Sequence, residues 1–533
     1  MKYKTKVCDN NMTFQDCELA ILRHAVDESE EQARAVGVRN AEIDSIIDVL
    51  EDFLIRKQLV CYGGTAINNI LPREAQFYNR DIEIPDYDFY SPHAMEDAIE
   101  LADIYAKKGY GEVEAKAGVH FGTYKVFVNF TPIADITYIP ESLFSMVKKE
   151  SISVAGIKYS PPDFLRMNMY LELSRPKGDV SRWEKVLKRL TILNEYYPFK
   201  VEYDCHMVDF QRRMSDIPKI TNSVDSEETV QQKIYTTIRD VFIDQGVVFF
   251  GGYASGLYSK YMPIKQRRLM EKVPDFDVLY ENPNRVCLII QERLNDIGVK
   301  NVKVNKMEDC GEIIPVHYQI RIGNELLAHV YEPLACHSYN EIDIDGRKIR
   351  VGTIDTLLTF YLAFKYVNRP YYNPERLMCM AKFLFDVQQE NRLEQRGILK
   401  RFSINCVGKQ PTLDDIRVEK NEKFKELANK RGTKEYDAWF LKYNPSSSKK
   451  SKSAKEPVEE PVEEDTEEAD SPETPTSSDK TPNSTDTTPK PKKTKKSKKT
   501  KKLQKNPPKT TTKHKRSKPK DAYQKLFSKS SNN

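Results

Sequence analysis

At 533 residues the chain exceeds what one hydrophobic core fills, so two or three domains with appendages are expected. Its 39% hydrophobic and 10% aromatic content suits a globular protein; no apolar run reaches the 18 residues that cross a bilayer, and the polar residues 1–11 do not read as a secretory leader. Nine cysteines are scattered without CxxC or close Cys/His spacing, which argues against a zinc site and predicts mostly buried thiols in a reducing compartment.

Residues 1–58 read as an N-terminal helical segment, in which Ile43, Ile46, Ile47, Leu50, Phe53 and Leu54 recur at helical period across 40–56. A domain over 59–200 follows. Its strand Leu59–Tyr62 runs into Gly63-Gly64-Thr65, and 66–71 resumes helical character. Ile84–Tyr90 reads as a strand, 93–108 as a helix, and 124–130 and 133–139 as paired strands with Thr131-Pro132 between them. Alternating strands and helices predict an α/β (α+β) fold, a mixed sheet with one helical face.

Residues 201–400 repeat this pattern. Val247-Val-Phe-Phe-Gly251-Gly252-Tyr253-Ala254 parallels Leu59-Val-Cys-Tyr-Gly63-Gly64-Thr65-Ala66, and Pro274-Asp275-Phe276-Asp277 parallels Pro85-Asp86-Tyr87-Asp88. The glycine-to-aspartate separations are 23 and 24 residues, and each copy continues into Gly-x-Lys (Gly156 to Lys158, Gly346 to Lys348) and a long helical stretch. Two tandem domains of one fold are expected. An extension over 401–444 leads to a tail, 445–533, rich in Ser, Thr, Pro, Lys and Glu and expected to be disordered. The tail carries 23 Lys/Arg against 13 Asp/Glu, a net +10, which leaves −5 for the rest of a chain whose total is +5. Its acidic block 456–473 precedes a basic run, Lys490 to Lys520, that suits either polyanion binding or mere solubility.

Asp86 and Asp88, two apart on a strand, share a face at about 7 Å, with Tyr87 and Phe89 on the other. Such paired carboxylates repel and call for a cation; hard oxygen ligands suit Mg²⁺ or Mn²⁺. A bare DxD is more often a solvated turn, but two neighbours change the balance. Gly63 and Gly64 between strand and helix let backbone N–H groups approach a phosphate at a helix N-terminus. Asp135, in the apolar strand Pro132-Ile-Ala-Asp-Ile-Thr-Tyr-Ile139, needs a partner. Three carboxylates beside a phosphate loop form the arrangement used in two-metal nucleotidyl transfer.

These motifs resemble the DNA polymerase β nucleotidyltransferase superfamily. Residues 61–69, 85–90 and 161–193, with Arg166-Met-Asn-Met-Tyr-Leu-Glu-Leu-Ser-Arg-Pro176 and Ser181-Arg-Trp-Glu-Lys-Val-Leu-Lys-Arg-Leu190, are similar to the poly(A) polymerase catalytic subunit of large cytoplasmic DNA viruses, and distantly to the poxvirus enzyme. The resemblance covers about 40–390. It departs in the longer glycine-to-aspartate spacing, which points to an insertion near 72–80. It implies two tandem nucleotidyltransferase-like domains and template-independent addition of AMP from ATP to the 3′ end of viral mRNA, in the virion and host cytoplasm. Asp86 and Asp88 would ligate both metals; Asp135 would ligate one and help deprotonate the RNA 3′-hydroxyl. Gly63, Gly64 and Thr65 would cradle the triphosphate, Lys158, Arg182 and Lys185 neutralise it, and Asn168 read the adenine edge, unless Asn168 is a plain surface residue. Self-association into a homodimer is compatible with the resemblance, but no sequence stripe marks an interface. In the second copy the strand matching Ile133-Ala-Asp135-Ile reads Leu327-Ala-His329-Val, so histidine replaces the third carboxylate and that copy is expected to be inactive, serving RNA binding or assembly. Rival functions are another RNA nucleotidyltransferase, of terminal uridylyl or oligoadenylate type, and a non-catalytic RNA-binding scaffold.

Overall fold

The computed structural model describes residues 7–8, 12–36, 41–78, 86–208, 210, 227–270, 276–311 and 313–445. Asp275, residues 79–85 and both charged blocks of the tail lie outside them. The first half runs α1 (Phe14–Val36), α2 (Ala41–Lys57), β1 (Val60–Tyr62), α3 (Gly63–Ile70), β2 (Tyr87–Ser91), α4 (Ala94–Lys107), β3 (Glu114–Ala117), β4 (Thr123–Val128), β5 (Thr131–Tyr138), α5 (Glu141–Lys149), β6 (Ile152–Val154), β7 (Ile157–Tyr159), α6 (Pro162–Leu173) and α7 (Trp183–Tyr196). The second half runs α8 (Glu227–Gln245), β8 (Val248–Phe249), α9 (Gly252–Tyr258), α10 (Ile264–Met270), β9 (Phe276–Leu279), α11 (Pro283–Asp296), β10 (Val302–Met307), β11 (His317–Ile322), β12 (Glu325–Tyr331), β13 (His337–Ile344), β14 (Arg347–Gly352), α12 (Ile354–Tyr366) and α13 (Pro374–Glu390). β15 (Cys406–Val407), α14 (Leu413–Glu426), α15 (Lys434–Phe440) and β16 (Lys442–Tyr443) complete it.

The repeat seen in the sequence is a repeat of topology. One mixed sheet has the order β16-β3-β4-β5-β2-β1-β7-β6, the other β10-β11-β12-β9-β8-β14-β13-β15. In both, the strand before the glycine pair lies antiparallel to the aspartate strand and parallel to the Gly-x-Lys strand. The agreement extends to irregularities: the register shifts after Val126 in one sheet and after Ile320 in the other. Gly156 and Gly346 close the β6–β7 and β13–β14 hairpins behind Ala155 and Asp345, all four with positive φ, the geometry of a two-residue primed turn.

α2 and α4 cover one face of the first sheet through Ile46, Leu50, Phe53, Leu54, Leu101 and Tyr105, all buried, and the Tyr105 hydroxyl donates to the Ile46 carbonyl (2.6 Å). α12 is buried nearly all round, as expected of a helix that is apolar on every side, and packs on α6 of the first repeat and on α13. Lys365 near its end reaches Glu150 (2.8 Å) and Asp163 (3.2 Å) of the first repeat.

Three expectations are corrected. The turn after β4 is Asn129-Phe130, both with positive φ, and Thr131-Pro132 belong to β5; Pro132 lies opposite Phe127, at the bulge, where the ladder is already broken and its missing N–H costs little. Asp86 immediately precedes β2, whose first residue is Tyr87. Six of the nine cysteines form disulfides, Cys8–Cys17, Cys205–Cys379 and Cys336–Cys406, leaving Cys61, Cys287 and Cys310 as thiols. Two of these pairs are 174 and 70 residues apart in sequence and are joined only by the folded chain, so spacing could not reveal them. The extension also returns to the first repeat: β16 pairs with β3, and the Tyr124 hydroxyl donates to the Ala438 carbonyl (3.0 Å), covering an otherwise open sheet edge.

Candidate active site

β2 and β5 run parallel with Asp88 directly opposite Asp135, and β5 and β4 run antiparallel with Asp135 opposite Lys125. Alternation on β4 buries Tyr124, Val126 and Val128 and turns Lys125 to the other face, where its Nζ lies 2.9 Å from Asp135 Oδ2. Lys125 escaped the sequence reading. Its signal was present, a charge at the open positions of an alternating strand, but its partner across the ladder was not.

Asp86 joins this group. The Thr65 hydroxyl donates to the Asp86 carbonyl (2.6 Å), which fastens the chain just before β2 to the start of α3. Thr65 is buried, so that hydroxyl holds the carboxylate strand in place. Burial first, then the charges of Asp86 and Asp135, push the Asp88 carboxyl up to about 8, against the pull of Lys125 and Arg182. Burial and Asp135 likewise raise Asp86, against Lys125 and Lys185. Tyr62 stacks on Tyr90 (centroids 4.0 Å apart) beneath the carboxylates and bonds Thr137 through its hydroxyl (2.9 Å).

Gly63 opens α3 with φ +73°, and a Cβ placed on it would stand 2.5 Å from Asp88 Oδ2. The glycine is therefore required twice, by its left-handed backbone and by the carboxylate against it. Gly63→Ala is expected to cost roughly 1–2 kcal/mol in backbone strain alone, read by urea unfolding. By displacing Asp88 it should lower nucleotidyl transfer about 10²-fold in a single-turnover assay. Wild-type activity in Gly63→Ala would show that Asp88 tolerates displacement.

The remaining candidates are placed unequally. Arg182 and Lys185 stand close enough for their charges to act on Asp88 and Asp86, and Arg182 also pairs with Glu172 (3.3 Å). Lys158 lies on β7, opposite Val60 of β1 and two strands from Asp88 on β2. Asn168 is half-buried and donates to the Tyr90 hydroxyl (3.3 Å), so it is not a plain surface residue. Among the described residues no three His, Cys, Asp or Glu side chains already close on a metal-sized point. The donor chemistry nonetheless fits hard divalent cations: partly desolvated carboxylates oppose one another's ionisation, beside a helix N-terminus kept bare by glycine.

The second repeat reproduces the frame without the third carboxylate and its lysine. Asp277 lies opposite His329, and His329 opposite Gln319, in the register of Asp88, Asp135 and Lys125. Gly251 repeats Gly63, with φ +64° and a Cβ position that would collide with Asp277 Oδ2. His329 is buried and bonds Asp277 Oδ1 through Nδ1 (3.0 Å) and Gln319 through Nε2 (3.3 Å). Phe250 stands where Tyr62 does and stacks on Phe360 (4.5 Å), while Tyr331, at the place of Thr137, stacks on Phe364 (5.7 Å). An aromatic layer thus fills the space beside this copy's carboxylate.

Residues 48–179 match the sequence profile of the poly(A) polymerase catalytic subunit family. A protein of African swine fever virus bearing that name is 34% identical over 167 residues, 30% of this chain and 35% of the relative. A mimivirus protein of the same name is 34% identical over 187 residues, 34% of this chain and 30% of the relative. The matched segment thus spans about a third of each relative's length. The fold is that of the crystal structure of the Megavirus polyadenylate synthase, with a TM-score of 0.66 and 20% identity over 84% of this chain and 89% of that one. The glycine pair, all three carboxylates and the whole of α6 lie inside the residues, 48–179, that match the poly(A) polymerase catalytic subunit family.

Proposed function

We propose that the protein adds AMP from ATP to the 3′ end of RNA without a template, at the site on β2 and β5. The observation that carries this reading is the register of Asp88 against Asp135, with Asp86 beside them and Gly63 against Asp88. Two divalent cations, Mg²⁺ or Mn²⁺, would be held by Asp86, Asp88 and Asp135, and when bound they supply charge neutralisation at the attacking and leaving oxygens. Asp135 takes the 3′-hydroxyl proton as the O3′–Pα bond forms and pyrophosphate leaves. Lys125 orients Asp135, and Thr65 holds Asp86 by its backbone. The N–H groups of Gly63 and Gly64, at the start of α3, face the phosphates, and Arg182 and Lys185 offset their charge. Lys158 is the more distant cation, and Asn168, anchored on Tyr90, serves the adenine edge. The relatives' viral origin supports work in the virion and host cytoplasm.

The test is extension of a short oligo(A) primer by the full chain with Mg²⁺ or Mn²⁺ and each NTP in turn. Extension with ATP alone is expected. Preference for UTP would make it a uridylyltransferase, and RNA binding without extension by any nucleotide would leave a scaffold.

A further inference from the structure

The segment between the glycine pair and the aspartates positions a further cation. Its first part folds back on α3: the buried Asn68 accepts the N–H groups of Phe77 and Tyr78 through Oδ1, both at 2.8 Å, and Gln76 donates to the Leu71 carbonyl (3.1 Å). This sets the two aromatic rings beside α7, where the Arg189 guanidinium lies over them, 5.2 Å from the Phe77 centroid and 5.5 Å from that of Tyr78. Arg189 also donates to the Tyr78 hydroxyl. At its other end α7 is tied to α3, with the Tyr197 hydroxyl donating to the Ile70 carbonyl (2.6 Å).

The guanidinium so held faces Gly64. A Cβ on that glycine would lie 2.9 and 3.0 Å from the two Arg189 terminal nitrogens and 2.6 Å from the Tyr78 hydroxyl. Arg189 Nε is buried and has no hydrogen-bond partner among the described residues. Arg182, Lys185 and Arg189, spaced three and four apart, lie on one side of the chain leading through α7, and the first two already act on Asp88 and Asp86. The acidic neighbour Glu172 feels Arg189's charge but is paired with Arg182.

We infer that Arg189 is a nucleotide-binding residue that takes the β and γ phosphates of ATP, and that residues 76–78 hold it there. Gly63 touches Asp88, so the α-phosphate belongs at Gly63 and the phosphates that leave lie beyond it, at Gly64. A planar guanidinium with several donors on an aromatic bed suits a polyphosphate better than a single charge would.

This inference rests on the proposed activity, and the experiment separates the two. In the full chain, Arg189→Ala should raise the KM for ATP roughly tenfold to a hundredfold with primer KM unchanged, and Arg189→Lys should recover part of the loss. Inhibition by AMP, which lacks the outer phosphates, should be unaltered. Should Arg189→Ala fail to fold, Arg189→Gln, which keeps a donor for Tyr78 but no charge, carries the same expectation. Equilibrium titration with a fluorescent ATP analogue reads the same weakening without turnover, so an inactive wild-type protein refutes the activity while leaving Arg189 testable. An ATP affinity within twofold of wild type, a rise in primer KM instead, or an equal weakening of AMP would each overturn the assignment.

Discussion

Asp88→Asn is expected to lower ATP-dependent primer extension by roughly 10³-fold or more, because the lost ligand withdraws several kcal/mol of charge stabilisation from the reacting phosphate. The same change should stabilise the metal-free protein, and increasingly so as pH rises. Burial and its two acidic neighbours hold the Asp88 carboxyl up to about 8, against an ordinary value of 3.8. Between those values the folded chain keeps a proton that the unfolded chain has released, so the contribution of Asp88 to stability declines as pH climbs through the window and is lost above about 8. Asparagine carries no charge to desolvate and removes that decline. Melting curves from pH 5 to pH 9 should therefore converge at the acid end and separate at the alkaline end, with the variant higher. Mn²⁺ should raise the melting temperature of wild type and not of Asp88→Asn. A difference that is constant with pH would show that Asp88 is not the strained carboxylate the site requires.

Asp277→Ala should behave in the opposite way, costing about 3 kcal/mol of unfolding free energy while leaving the turnover number within about twofold. Asp277 and His329 are both buried and bonded at 3.0 Å, and removing the carboxylate strands His329 Nδ1 in a space closed by aromatic rings. Water cannot readily replace it there. Urea unfolding and primer extension well below the transition midpoint measure the two effects separately. Loss of activity to the extent of Asp88→Asn would move catalysis, in whole or part, to the second repeat. The opposed outcomes follow from one substitution of ligand type: an aspartate opposite Asp88 keeps a charge that calls for a cation, whereas a histidine opposite Asp277 completes a polar pair that needs none.

Much of this was readable in the chain alone. Strand alternation and helical period are local, so α2, β1, β2 and α4 fall within a few residues of where the sequence puts them. Gly63, Asp86, Asp88 and Asp135, their echo in Gly251 and Asp277, and the histidine at 329 are likewise visible, because each is a residue type out of keeping with its local pattern. The folded chain decided what crosses between strands and helices. It set Lys125 against Asp135, gave the Thr65 hydroxyl to Asp86, drew Arg189 over the rings of Phe77 and Tyr78 beside Gly64, and brought cysteines 174 residues apart into a bond. None of these leaves a mark at fixed spacing, since sheet register and helix packing, which bring such residues together, are properties of the assembled core rather than of any segment of it.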